Sequence, residues 1–367
     1  MEENAGKDRK TIGANKLGTG FSHNLKPLAP IDLGKVVSVN DLVVQMKSSS
    51  FGARSVGEAA DVLEAMVKDE ECYKVLTLSG AMTIAKMGLV VCDMVDRGMV
   101  DAIVSTGALM AHGFVESVGK LHFKHEWNMD DTKLYFSGYD RVYDTLELER
   151  NLDDISEIIQ KVLDTCSRVK PLSTWVLHRE IGKYLKENVE GRGILKSAYE
   201  KNIPVYVPAF TDSELGLDVA LYNIKQAAVG KPEIHFDPFA DLNHYAENVR
   251  NSKKLGIFTI GGGVPRNWAQ QVGPYLDLIR YRVIDKGNPT NYLDTGSNMF
   301  KRFHYAVRVC PEPVHWGGLS GCTYSEGVSW GKFVPREEGG MWAEVIEDAT
   351  IAWPLIVKAV MERMDKK

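Results

Sequence analysis

The phrase Ser325-Glu326-Gly327-Val328-Ser329-Trp330-Gly331-Lys332 places one lysine next to residues that can handle an amine. Glu326 can pair with an ammonium group. Trp330 can lie against an aliphatic or cationic amine. A desolvated Lys332 falls below its usual pKa of about 10.4 and becomes a Schiff-base nucleophile. Composition alone favours a plainer reading, a surface lysine beside a packed tryptophan. Other candidate groups are weaker. His122 and His125, with Glu126 adjacent, have no third ligand at a usual metal spacing, so no metal site is expected. Cys310 and Cys322 read as buried small apolar residues. The acidic run from Glu147 to Asp154 reads as a solvated face and a helix start.

A second group of residues suits a phosphate-bearing ligand. Ser79-Gly80-Ala81, Ser105-Thr106-Gly107-Ala108, Thr211-Asp212 and Gly261-Gly262-Gly263 each follow a short apolar run. Glycine lets a ligand approach the backbone, and a following helix offers free N–H groups to an anion. A dinucleotide site fits this pattern, and so do ordinary strand-to-helix turns. No complete GxGxxG follows a strand candidate.

These turns need strands and helices to carry them. Lys74–Leu78, Val100–Thr106, Val205–Val207, Leu255–Ile260, Tyr305–Val309 and Ala343–Ile346 read as strands. Thr83–Arg97, Asn151–Val169, Thr174–Asn188 and a segment starting near Asn267 read as helices. The alternation predicts βαβ units, hence an α/β fold built on a parallel sheet with helices on both faces. Residues 1–30 read as a polar arm and 31–367 as a single large domain. The chain has 367 residues, 44% of them hydrophobic, which is enough for a sizeable core and excludes wholesale disorder. Its formal net charge of −5 argues against a dedicated nucleic-acid binder. No apolar run reaches membrane-span length, the first ten residues lack a signal-peptide core, and five scattered cysteines read as reduced thiols. A cytoplasmic protein is expected.

The phrase Glu-x-Val-Ser-Trp-Gly-Lys, here Glu326 to Lys332, resembles the active-site segment of deoxyhypusine synthases. Gly98–Thr106, Val207-Pro-Ala-Phe-Thr-Asp212, Gly261-Gly-Gly-Val264, Tyr305-Ala-Val307 and Glu347-Asp348-Ala349 recur in that family's order. The resemblance spans about residues 70–360. It implies a Rossmann-like fold, a homotetramer with NAD sites at subunit interfaces, and NAD-dependent transfer of an aminobutyl group. In that chemistry a hydride leaves the carbon beside the secondary amine of spermidine for NAD. The lysine captures the imine, and an acceptor amine then takes the butylamine unit, which is reduced. The acceptor is a lysine of the precursor of translation initiation factor 5A in the namesake enzyme, and putrescine in the homospermidine synthases. By matching position, Lys332 is the imine-forming lysine, and Trp330 and Glu326 line the amine. Gly80, Ala81, Thr106, Gly107, Asp212, Asp348 and Ala349 fall at NAD-contacting positions.

The polyamine side departs from the family. Two adjacent glutamates are here Ala111-His112, an aspartate becomes Leu217 with Asp218 displaced by one, a histidine becomes Asn267, and Gly-Ser-Asp becomes Gly317-Gly318-Leu319. His112 and Asn267 thus become the candidate substrate contacts at their positions. Burying an ammonium without a partner costs several kcal/mol. A different amine donor from spermidine is therefore expected, unless Glu214, Glu312 or Asp218 compensates. The departures resemble the bacterial deoxyhypusine synthase-like branch, for which a modified protein acceptor is possible but not favoured. Two other readings are a true deoxyhypusine or homospermidine synthase, and a catalytically silent paralogue in a hetero-oligomer.

Overall fold

The apolar run around Val75 forms the central strand β1, Cys72–Leu78, of a computed structural model that describes residues 18–287, 299–318 and 320–366. The other strands, in chain order, are β2 (Ala102–Val104), β3 (Phe123–Lys124), β4 (Tyr139–Val142), β5 (Thr145–Leu148), β6 (Val205–Tyr206), β7 (Lys254–Ile260), β8 (Phe303–Val309) and β9 (Met341–Val345). Six of them form one parallel sheet in the order β6-β2-β1-β7-β8-β9. The helices before β4 are α1 (Val39–Ser48), α2 (Phe51–Lys68), α3 (Gly88–Asp96), α4 (Gly107–Ser117) and α5 (Asp131–Phe136). Between β5 and β7 come α6 (Glu149–Thr165), α7 (Thr174–Asn188), α8 (Ile194–Glu200), α9 (Glu214–Ala228) and α10 (Pro238–Asn251). The last four are α11 (Gly263–Gln270), α12 (Val272–Arg282), α13 (Tyr324–Ser329) and α14 (Ala349–Asp365).

Side chains alternate across a strand, so a buried parallel sheet feeds two cores. Leu76 and Leu78 join a cluster with residues of α2, α4, α6 and α14, including the fully buried Trp353. Val75, Ala102 and Ile257 face the opposite cluster, with Tyr245 of α10, Ala269 of α11 and Leu276 of α12. Helices therefore cover both faces, as the alternation predicts. Among the described residues no helix is long and apolar enough to cross a membrane.

Two local expectations need correction, and one small sheet was not expected. The helix expected from Thr83 starts at Gly88, because Lys86 takes a left-handed φ of 63° that breaks a regular helix. The helix expected near Asn267 starts at Gly263. Pro265 sits in its first turn, where a missing N–H costs nothing. Residues 123–148 hold an antiparallel sheet, β3-β5-β4, that the sequence reading did not foresee. Its strands have two to four residues, too short for alternation to register.

Candidate functional site

Strand order reverses between β1 and β7. From β1 the chain moves outward through β2 and β6 on one side, and through β7, β8 and β9 on the other. Ligands of open α/β sheets lie outside the strands' carboxyl ends at such a switch point. Ser79 and Gly261 occupy those two ends. Ser79 Oγ donates to the Ile260 carbonyl at 3.1 Å and accepts from Gly262 N–H at 2.8 Å. Gly261 has a φ of 78°, and a Cβ there would meet Ser79 Oγ at 2.0 Å. A Cβ on Gly262 would meet Ser320 Cα at 2.4 Å. Only glycine fits at either position, as the close approach demands.

The neighbouring strand ends bring five predicted cofactor positions into one cluster. Thr106 caps α4, its Oγ1 accepting from Leu109 N–H at 3.3 Å, and it lies 3.5 Å from the Gly80 carbonyl, one residue before Ala81. A Cβ on Gly107 would strike Ser213 Oγ at 2.2 Å, so α4 packs directly against the turn that carries the exposed Asp212. Asp348 and Ala349 lie beyond the carboxyl end of β9, where Asp348 Oδ1 caps α14 by accepting from Thr350 N–H at 2.7 Å. Glycines cradle the switch point, and the α11 N-terminus has no side-chain cap, leaving N–H groups for an anion. This donor set fits the pyrophosphate of a dinucleotide.

Lys332 borders a cavity of about 300 Å³ lined by Arg266, Asn267, Gln270, Glu326, Trp330 and Gly318, among others. Its backbone is fixed from below. Thr323 caps α13, its Oγ1 accepting from Glu326 N–H at 3.2 Å. Gly327 lies under the buried Phe333 ring, where a Cβ would meet ring carbon Cδ2 at 2.6 Å. Gly331 ends the helix with a φ of 70°, and Lys332 N–H donates to the Gly327 carbonyl at 3.1 Å. The lysine carbonyl accepts from Phe303 N–H at the start of β8. Gly327 therefore has a packing reason and Gly331 a conformational one.

Two buried arginines hold the loop before α13, a feature that sequence reading missed. Arg266 Nη2 donates to the Cys322 carbonyl at 2.7 Å. Arg308 Nη1 donates to the same carbonyl at 2.8 Å and Nη2 pairs with Glu344 at 3.0 Å. Arg308 is 1% exposed, so its charge must be paired where it lies. Its place on β8 after an apolar run was the available signal.

Burial lowers the Lys332 pKa from its ordinary value; Arg266 adds to this, and Cys322 and Glu326 oppose it. Lys332 Nζ donates to Asn267 Oδ1 at 3.3 Å and stands 5.9 Å from the Trp330 ring centre. Asn267 thus meets the lysine with a neutral acceptor. Trp330 and Glu326 are exposed and lie at the rim of the cavity.

Lys332, Trp330, Glu326 and Asn267 are therefore brought together. His112 does not line this cavity. Its Nδ1 faces Glu147 Oε2 at 3.2 Å. Glu147 corrects the reading of a solvated acidic run, because it is 1% exposed. Asn151 Nδ2 and Leu148 N–H hold its Oε1, and these bonds, with the imidazoles of His112 and His122 close by, outweigh burial and depress its pKa. Of the three acids considered as replacements for the lost polyamine contacts, Asp218 is buried and bonded by Ser156. Glu214 sits in the first turn of α9 and is absent from the cavity lining. Glu312 approaches the cavity: a Cβ on Gly318 would meet its Oε1 at 1.8 Å. Leu217 is exposed, and Leu319 lies outside the described residues.

A family model for deoxyhypusine synthase matches residues 41–360. The chain belongs to the deoxyhypusine synthase family. Membership places it among aminobutyl transferases. "Probable deoxyhypusine synthase 1" of Methanosarcina acetivorans is 34% identical over 341 residues, covering 92% of this chain and 96% of the relative. "Deoxyhypusine synthase-like protein" of Chlorobaculum parvum is 32% identical over 326 residues, covering 87% and 85%. A solved structure, "Crystal Structure of a putative deoxyhypusine synthase from Entamoeba histolytica", shares the fold with a TM-score of 0.55. It has 16% identity and covers 91% of this chain and 97% of that one.

Proposed function

We propose that this chain is an NAD-dependent transferase that moves an aminobutyl-type group from a polyamine or related amine to an acceptor amine through an imine on Lys332. The observation that carries this reading is the burial-lowered lysine, held by a neutral acceptor at the wall of an open cavity. A lowered pKa leaves more of the free amine at neutral pH, and only the free amine attacks carbon.

NAD, when bound, would supply the hydride acceptor for the donor amine and the hydride that reduces the product imine. Gly80, Ala81, Thr106, Gly107, Asp212 and the Gly261–Gly263 turn would hold it, with Asp348 and Ala349. Lys332 Nζ attacks the imine carbon of the oxidised donor. A C–N bond to Lys332 forms, and the bond to the leaving amine breaks as that amine takes up a proton. The acceptor amine repeats the exchange and releases Lys332. Asn267 orients Nζ through its Oδ1, and Glu326 with Trp330 receives the cationic end of the amine at the rim.

With Ala111 apolar, Asp218 engaged by Ser156 and Leu217 exposed, few acids face the cavity. A less cationic donor than spermidine is favoured on that ground. The exposed rim favours a homotetramer in which a second copy completes the site.

A panel of amines assayed by NADH absorbance tests the reading, with Lys332→Arg as control. The wild type should give product with a donor other than spermidine as the best. Lys332→Arg should bind NAD and give no transfer, since arginine stays protonated. Transfer by Lys332→Arg at the wild-type rate would exclude the covalent mechanism. Spermidine as best donor with a factor 5A precursor as best acceptor would make the chain a true deoxyhypusine synthase. A protein that neither binds NAD nor turns over any amine would be the silent paralogue.

A further inference from the structure

We propose that His112, His122 and Glu147 form a binding site for one divalent zinc-class metal ion, separate from the Lys332 cavity. Three segments supply the ligands: α4, the loop after it, and β5. One ligand atom from each lies within 4.8 Å of the other two. Glu147 Oε1 is taken by Asn151 Nδ2 at 2.8 Å and Leu148 N–H at 2.9 Å, which fixes the carboxylate and leaves Oε2 facing both imidazoles. Ligating carboxylates are held by outer partners in this way.

The His122 side chain is fully buried, and its Nε2 lies 2.5 Å from Glu147 Oε2. That nitrogen nevertheless makes no hydrogen bond of acceptable geometry, so a buried ring nitrogen beside the carboxylate is left without a partner. A shared cation explains such an approach. Zn(II) bonds of about 2.0 Å in tetrahedral geometry set ligand atoms about 3.3 Å apart. His112 Nδ1 to Oε2, at 3.2 Å, already matches. The His122 ring needs to withdraw by less than about 1 Å. Lys86 Nζ lies 2.6 Å from His122 Nδ1 and 2.8 Å from Glu116. Once Nε2 ligates, Nδ1 must carry the proton. Lys86, half exposed, then turns to Glu116 alone.

Two imidazoles and one carboxylate suit Zn(II) and related ions better than Mg(II) or Ca(II). The surroundings also suit a clamp. The β3-β5-β4 sheet carries little core of its own, since β3 and most of β4 are exposed and Leu146 and Leu134 are among its few buried apolar residues. A small unit with so little apolar burial is commonly held by a metal. His112 is then a ligand that ties this sheet to α4, in place of a substrate contact.

The test uses full-length protein without a polyhistidine tag, stripped with chelator and titrated with Zn(II) against a chromophoric competitor. One equivalent per chain should bind with sub-micromolar affinity, as expected for three protein ligands. His122→Asn and Glu147→Gln should each weaken binding by about 100-fold or more while circular dichroism reports an unchanged fold. His112→Gln guards against loss of Glu147's local bonds, and should shift the visible bands of the Co(II)-substituted protein. Wild-type binding weaker than about 100 µM, or variants that bind as the wild type does, would overturn the proposal. The readout needs neither NAD nor turnover, so failure of the transferase reading leaves this result standing.

Discussion

Replacing Asn267 by aspartate puts a carboxylate where a neutral oxygen now accepts from Lys332 Nζ at 3.3 Å. At an effective dielectric constant of 20, unit charges at that distance attract by roughly 5 kcal/mol, from 332/(20 × 3.3). The new carboxylate's own desolvation and partial access of water reduce this, so the lysine pKa should rise by about one to two units. Free amine at pH 8 then falls about 10- to 100-fold, and imine formation with it. Asn267→Leu works in the opposite direction: the ammonium loses its acceptor, burial is unopposed there, and the pKa drops further. The assay is the initial rate of borohydride trapping of a small aldehyde on Lys332, from pH 7 to 10.5. Asn267→Asp should be slow at pH 8 and recover toward wild type at the alkaline end, while Asn267→Leu should be faster at pH 7. Superimposable pH profiles for all three proteins would refute the claim that this oxygen and burial set the lysine's reactivity.

Burial depresses the His178 pKa to about 4 from 6.5, against the Val205 carbonyl that Nδ1 meets at 3.0 Å. The unfolded chain binds this proton first, so stability is present above about pH 6.5 and is lost as pH falls toward the folded pKa. Urea unfolding should lose about 2 kcal/mol from this group between pH 7 and 5, and His178→Gln should lack that part of the slope. Arg308→Met removes a buried charge that holds the Cys322 carbonyl and pairs with Glu344. Breaking one side of such a pair costs about 3–5 kcal/mol, so the melting temperature should fall and Lys332 trapping should slow with it. A variant with full stability and full trapping would show that Arg308 does not position the lysine loop.

The main sheet was legible because its strands are short apolar runs ending in glycine, serine or aspartate. Residues 254–260 and 303–309 read as strands to within two residues. Helix α7 was read to the residue, Thr174–Asn188, between Ser173 and the extended Val189. The sheet at 123–148 was hidden because strands of two to four residues show no period. Lys332, Trp330 and Glu326 were legible as a motif, and Asn267 as a substitution within one. Arg308 and Glu147 were not. Each is charged, Glu147 in a run that reads as a solvated face and Arg308 in an otherwise apolar strand, and only tertiary packing buries it. The charged partners that place them, His112 for Glu147 and Glu344 for Arg308, lie 35 and 36 residues away and leave no local spacing to detect. His112, His122 and Glu147 meet only because β5 folds back against α4, which no ligand spacing along the chain could announce.

Mass spectrometry of protein reduced with borohydride during turnover tests the covalent role of Lys332 most directly. Wild type incubated with NAD and its best donor amine should carry an aminoalkyl increment on the peptide containing Lys332, and Lys332→Arg should carry none. An unmodified Lys332 peptide from protein that is forming product, or the same increment on a different lysine, would contradict the account.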